Sequence, residues 1–183
     1  MRTLLHNAII VNEGESYLGY VVIDNETIEC VGEGAPSPEI LASVNKACDL
    51  DCKLLLPGVI DDQVHFRDPG LTHKADIETE STAAVAGGVT SFMDMPNTNP
   101  QTTSIEAWEA KNKRANQVSL ANYAFFIGAT NANIDTLLNC DYSRVPGVKL
   151  FLGASTGNML VDNDTALNRI FAEVPALIAI HSE

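Results

Sequence analysis

Pro57-Gly58-Val59-Ile60-Asp61-Asp62-Gln63-Val64-His65-Phe66-Arg67-Asp68-Pro69-Gly70 is the stretch whose reading decides the fold. The β-branched and apolar run from Val59 to Phe66 predicts a strand that ends in polar side chains. Downstream, a helix is expected over Asp76 to Ala86, closed by Gly87-Gly88, and a strand over Val89 to Met95. Thr103, with Glu106 three residues on, has the form of a capping box opening a helix through Asn116. Then come a strand over Leu120 to Ile127, a short helix over Ile134 to Cys140 and a strand over Gly147 to Leu152. Asp164 is expected to cap a helix over Thr165 to Glu173, and Ala176 to His181 forms the next strand. Strict alternation of strand and helix implies parallel strands joined by crossover helices, an α/β fold.

An open doubly wound sheet and a (β/α) barrel compete for this pattern. The open sheet usually carries a glycine-rich phosphate loop after its first strand, and here that turn is His65-Phe66-Arg67-Asp68-Pro69-Gly70. The polar residues gather instead at the C-terminal ends of successive strands, where a barrel keeps its active site. The expected architecture is therefore a partial (β/α)8 TIM barrel of about five strands. A whole barrel takes about 250 residues, so residues 57–183 are expected to be its N-terminal part. Ahead of it, Thr3 to Val11, Tyr17 to Asp24 and Thr27 to Val31 read as strands separated by turns at Asn12-Glu13-Gly14 and Asp24-Asn25-Glu26. Gly34 to Pro38 reads as a loop and Asp49 to Leu56 as a further strand, so residues 1–56 are expected to form a small β-module.

The sequence has 183 residues, 45% hydrophobic and 19% charged, which suits a packed core. A net charge of −13 leaves no basic stripe to neutralise phosphates, which argues against nucleic acid as a partner. No apolar run is long enough to span a bilayer and the N-terminus lacks a cleavage signal, so a cytoplasmic protein is expected. Cys30, Cys48, Cys52 and Cys140 contain no CxxC pair and are expected to be reduced.

Four places along the chain carry candidate chemistry, the first of them a cluster of residues. Along a strand, alternate side chains share a face, so Asp61, Gln63, His65 and Arg67 are expected to point together towards the barrel mouth. Asn97, in Asp94-Met95-Pro96-Asn97-Thr98, offers an amide suited to orienting an imide or a carboxylate. Lys149 lies mid-strand among apolar residues; burial lowers a lysine's pKa, and a neutral amine can take up carbon dioxide as a carbamate. His181 closes the last strand, where a ligand histidine would sit.

The order His65 on the first barrel strand, Lys149 on the fourth and His181 on the fifth, all at C-terminal ends, resembles the amidohydrolase superfamily. Within it, Val64-His65-Phe66-Arg67-Asp68-Pro69-Gly70 and Asp94-Met95-Pro96-Asn97-Thr98 look like dihydroorotase signatures. The likeness runs from about Leu55 to Glu183, and the leading β-module fits the family's accessory β-sandwich. The resemblance implies a zinc enzyme of pyrimidine biosynthesis that reversibly cyclises N-carbamoyl-L-aspartate to L-dihydroorotate. It implies His65 and His181 as ligands to one or two Zn²⁺ ions, a carboxylated Lys149 bridging them, and Arg67 and Asn97 holding the substrate carboxylate. Gln63 stands where the family has another histidine, and its carbonyl oxygen is a poorer ligand for zinc than imidazole. The family's general acid/base aspartate is expected beyond Glu183, so this chain by itself is expected to be inactive and the full-length protein to be a homodimer. A non-catalytic scaffold and an allantoinase are the alternatives.

Overall fold

The computed structural model describes residues 1–153 and 159–182. The chain divides into two compact units, Met1–Pro57 and Gly58–Glu183.

The first unit is a five-stranded sheet. Strands β1 (Arg2–Asn12), β2 (Glu15–Asp24) and β3 (Thr27–Glu33) form an antiparallel meander, with β4 (Lys46–Asp49) and β5 (Leu54–Leu55) parallel to β1. The β1–β2 hairpin turns through Glu13 and Gly14, both at positive φ (50° and 83°), the handedness that matches strand twist. Its small core joins Ala8, Ile10 and Val21 to Leu5, Tyr17, Ile23, Leu50 and Leu55. Two sequence expectations need correction. Pro38 is not the end of a loop; it opens helix α1 (Pro38–Ser43), capped by Ser37, because a proline's fixed φ and missing N–H suit the first helical turn. The strand expected over Asp49 to Leu56 breaks into β4 and β5, since Asp49 Oδ1 accepts the Asp51 N–H (2.9 Å) and turns the chain there.

In the second unit every strand pairing is parallel. One ladder runs β6 (Val59–Val64), β7 (Val89–Asp94), β8 (Asn122–Phe125), and the other runs β9 (Ile127–Gly128), β10 (Val148–Phe151), β11 (Ile178–His181). Only Phe126 separates β8 from β9, and its N–H donates to Asp94 O (3.1 Å). Helices α2 (Ile77–Ala86), α3 (Ile105–Val118), α4 (Ile134–Leu138) and α5 (Asp164–Glu173) provide the crossovers. Asp76 caps α2 by accepting the Thr79 N–H (2.8 Å). The cap of α3 is Ser104, not Thr103, and that of α5 is Asn163, not Asp164. In each case the oxygen one position away reaches the free N–H of the first turn, at Ala107 (3.2 Å) and Ala166 (3.0 Å).

The core lies between strands and helices. Phe92 at its centre packs on Phe66 (ring centroids 4.4 Å apart), and both meet Ile77, Trp108, Phe125, Leu150 and Ile170 in one cluster. Burial of a phenylalanine of this kind is worth about 3–5 kcal/mol against alanine. That packing holds the strand ends in place.

Candidate active site

The C-terminal end of β6 does not keep simple alternation. Asp61 is in register with Phe92 and Val64 with Asp94, so two residues of β6, Asp62 and Gln63, stand opposite Met93 alone. This is a β-bulge, closed by the Gln63 N–H donating to Asp61 Oδ1 (3.1 Å). Asp61 therefore leaves the face shared by Gln63 and His65. Asp62 and Gln63 instead line a cavity of about 280 Å³ together with Met93, Met95, Phe126 and Ala179.

Beyond the bulge, the segments after β6 and β7 are bound to each other. His65 Nδ1 lies 2.8 Å from Asn97 Oδ1; the oxygen can only accept, so Nδ1 carries the proton and Nε2 keeps its lone pair. The Asn99 N–H donates to Pro69 O (3.0 Å). Gly70, at φ +80°, approaches Asn99 so closely that a Cβ would fall 1.8 Å from its carbonyl oxygen. The Pro-Gly turn and the Asn-Pro turn thus form one paired rim.

Arg67 takes a positive φ (64°), uncommon for a side chain of that size and most often tolerated at functional sites. Its Nη1 is buried and has no hydrogen-bond partner. The neighbouring Asp68, 5% exposed, instead pairs with Arg114 Nε at 3.2 Å.

Lys149 is 1% exposed, and no ion pair involves it among the described residues. Burial lowers its pKa, favouring the neutral amine. Its Nζ sits 5.3 Å from the centre of the Phe151 ring, and that ring meets the His181 ring at 5.7 Å. His65 also has a lowered pKa: burial is the main cause, the Arg67 and Lys149 charges add to it, and the Asn97 bond and Asp94 oppose it. The structure thus brings His65, Arg67, Asn97 and Lys149 together, puts His181 against Phe151, and puts Gln63 on the cavity wall.

The His65 shift has a measurable sign. A lowered folded pKa means the unfolded chain binds the proton more readily, so stability is present above the ordinary imidazole range and lost as pH falls from about 6.5 through the folded value. The urea midpoint is expected to drop between about pH 7.5 and about pH 5.5, and to drop less in His65→Gln.

Two residues behind the rim escaped the sequence reading as partners. Asp94 and Lys111 form an ion pair (2.7 Å) with both side chains fully buried. A signal existed: Trp108, Lys111 and Ala115 follow helical spacing, so the lysine lies on the buried stripe of α3.

The fold is that of the hydantoinases, a class of cyclic-amide hydrolases. The L-hydantoinase of Arthrobacter aurescens superposes with a TM-score of 0.88 at 24% identity, over 99% of this chain and 40% of that one. A family model described as "Dihydro-orotase-like" matches residues 52–138 of this chain. A dihydroorotase of Carboxydothermus hydrogenoformans is 44% identical over 110 residues, 58% of this chain and 24% of that protein. An allantoinase of Deinococcus radiodurans is 33% identical over 154 residues, 83% of this chain and 33% of that protein. The chain therefore spans about a quarter to a third of the length of these curated relatives. Among the described residues, no helix is long and apolar enough to cross a membrane, and the four cysteines are free thiols.

Proposed function

We propose that the protein is a dihydroorotase of pyrimidine biosynthesis, interconverting L-dihydroorotate and N-carbamoyl-L-aspartate. In this reading Gly58–Glu183 is part of a (β/α)8 barrel and Met1–Pro57 its small β-sandwich module. The observation that carries the reading is Arg67, whose buried Nη1 lacks an acceptor beside the His65–Asn97 pair. A buried donor without a partner costs about 1–3 kcal/mol, a loss that a substrate carboxylate would reverse. The guanidinium fork suits a carboxylate in two parallel bonds, and dihydroorotate carries one beside its ring amide. Asn97, with its oxygen committed to His65, keeps its NH₂ group to donate to the same ligand.

The residues present also fit a metal. His65 is held neutral by burial with Nε2 available, and Lys149 is a buried amine able to add carbon dioxide, releasing one proton and becoming a carbamate. Zn²⁺, as one or two ions held by His65, His181 and carboxylated Lys149, would polarise the ring carbonyl and activate water. Gln63 favours a second reading, a dihydroorotase-like scaffold without catalysis, since an amide is the weaker zinc ligand.

The test is hydrolysis of L-dihydroorotate, allantoin and hydantoin by the full-length gene product supplied with zinc. Dihydroorotate is expected to be opened preferentially, and Lys149→Met to be inactive. Preferential opening of allantoin would overturn the substrate assignment. Hydrolysis that appears only after Gln63→His would establish the scaffold.

A further inference from the structure

The buried Asp94–Lys111 pair lies outside the chemistry above, yet its bonds end on the two segments that carry it. Asp94 Oδ1 accepts the Phe66 N–H (3.0 Å), between His65 and Arg67, and the Met95 N–H (2.9 Å), two residues before Asn97. Asp94 Oδ2 faces Lys111 Nζ at 2.7 Å. That ammonium also donates to Met95 O (3.1 Å) and sits 4.8 Å from the centre of the Phe125 ring. The two segments meet again in the His65–Asn97 bond (2.8 Å), so the contacts close a ring. An apolar pair could fill the same space without the desolvation cost of two buried charges. It would, however, leave the Phe66 N–H without an acceptor and the Met95 N–H with Val64 O alone (3.0 Å), at the points where both segments turn.

We propose that Asp94 and Lys111 are a positioning unit: the carboxylate suspends both segments from one acceptor, and the lysine holds that carboxylate in place, so that His65 and Asn97 meet. The proposal takes its purpose from the reading of His65, Arg67 and Asn97 as site residues. Its test reads a tautomer, not turnover, and so stands or falls apart from the dihydroorotase assignment.

The measurement is the ¹⁵N tautomer signature of His65 in the metal-free protein, at a pH above the imidazole range. Wild type is expected to show the Nδ1–H form in excess. Asp94→Ala with Lys111→Met removes the acceptor without stranding a charge, and is expected to cut that excess about tenfold, the worth of one hydrogen bond. Asp94→Asn with Lys111→Met returns an amide oxygen to the acceptor position and is expected to retain the excess. Trp108→Phe removes a buried bond to Phe125 O (2.8 Å) that is made to neither of the two segments, and is expected to lower stability without moving the tautomer. An unchanged excess in the alanine variant, a lost excess in the asparagine variant, or an equal loss in Trp108→Phe overturns the proposal. Should the alanine variant not fold, amide exchange in wild type decides. The Phe66 amide, whose one acceptor is Asp94 Oδ1, is then expected to exchange at least about tenfold more slowly than free loop amides, and exchange at loop rates overturns the proposal.

Discussion

Lys111→Met alone is expected to cost the Gly58–Glu183 unit about 3–5 kcal/mol. The cause is what it leaves behind. Asp94 has no solvent exposure, and its carboxylate would keep two N–H donors but lose the cation 2.7 Å away. Burial already lowers the Lys111 pKa against the opposing pull of Asp94, which marks how strongly this environment resists an uncompensated charge. Asp94→Asn with Lys111→Met removes both charges and keeps the acceptor, so it is expected to recover most of the loss. Urea titration of the two variants checks this. A single-variant loss below about 1 kcal/mol would mean that the pair is hydrated and not a buried anchor.

Arg67→Met is expected to lower kcat/KM for L-dihydroorotate about 10²–10⁴-fold. Two hydrogen bonds to a charged group are worth about 1.5–3 kcal/mol each, which converts to a range of that order. The backbone should not confuse the result. Arg67 sits at φ 64°, and methionine meets the same steric penalty there as arginine, so the guanidinium is the difference between the two proteins. Because the carboxylate is remote from the scissile amide, part of the loss is expected in KM. The share falling on kcat measures how far that contact orients the ring for attack.

Much of the second unit was legible in the sequence because parallel strands covered on both faces read as continuous apolar runs between helix signals. Val148 to Phe151 is the clearest case: its side chains are all buried, and Lys149 stands out as the one charge among them. The helix caps were legible only to within one residue, since Thr103 and Ser104, or Asn163 and Asp164, are equally good acceptors until the backbone selects one. The bulge at Asp62–Gln63 was not legible. Period-two reasoning assumes an unbroken ladder, and an extra residue moves Asp61 off the face it was expected to share. The role of Lys111 was hidden for another reason: its partner lies 17 residues away on a different element, and only the fold brings them together. Arg67, Asn97 and His65 were legible as residues, but the bond that fixes the His65 tautomer was not, because it joins two turns.

In the proposed dihydroorotase, Arg67 receives the substrate carboxylate. The measurement that tests this compares kcat/KM for L-dihydroorotate with that for 5,6-dihydrouracil, the same ring without the carboxylate, in the full-length gene product and its Arg67→Met variant. The expected result is a strong preference of the wild type for dihydroorotate that collapses towards parity in the variant, with dihydrouracil turnover little changed. A preference that survives Arg67→Met intact would contradict that role and place carboxylate recognition elsewhere.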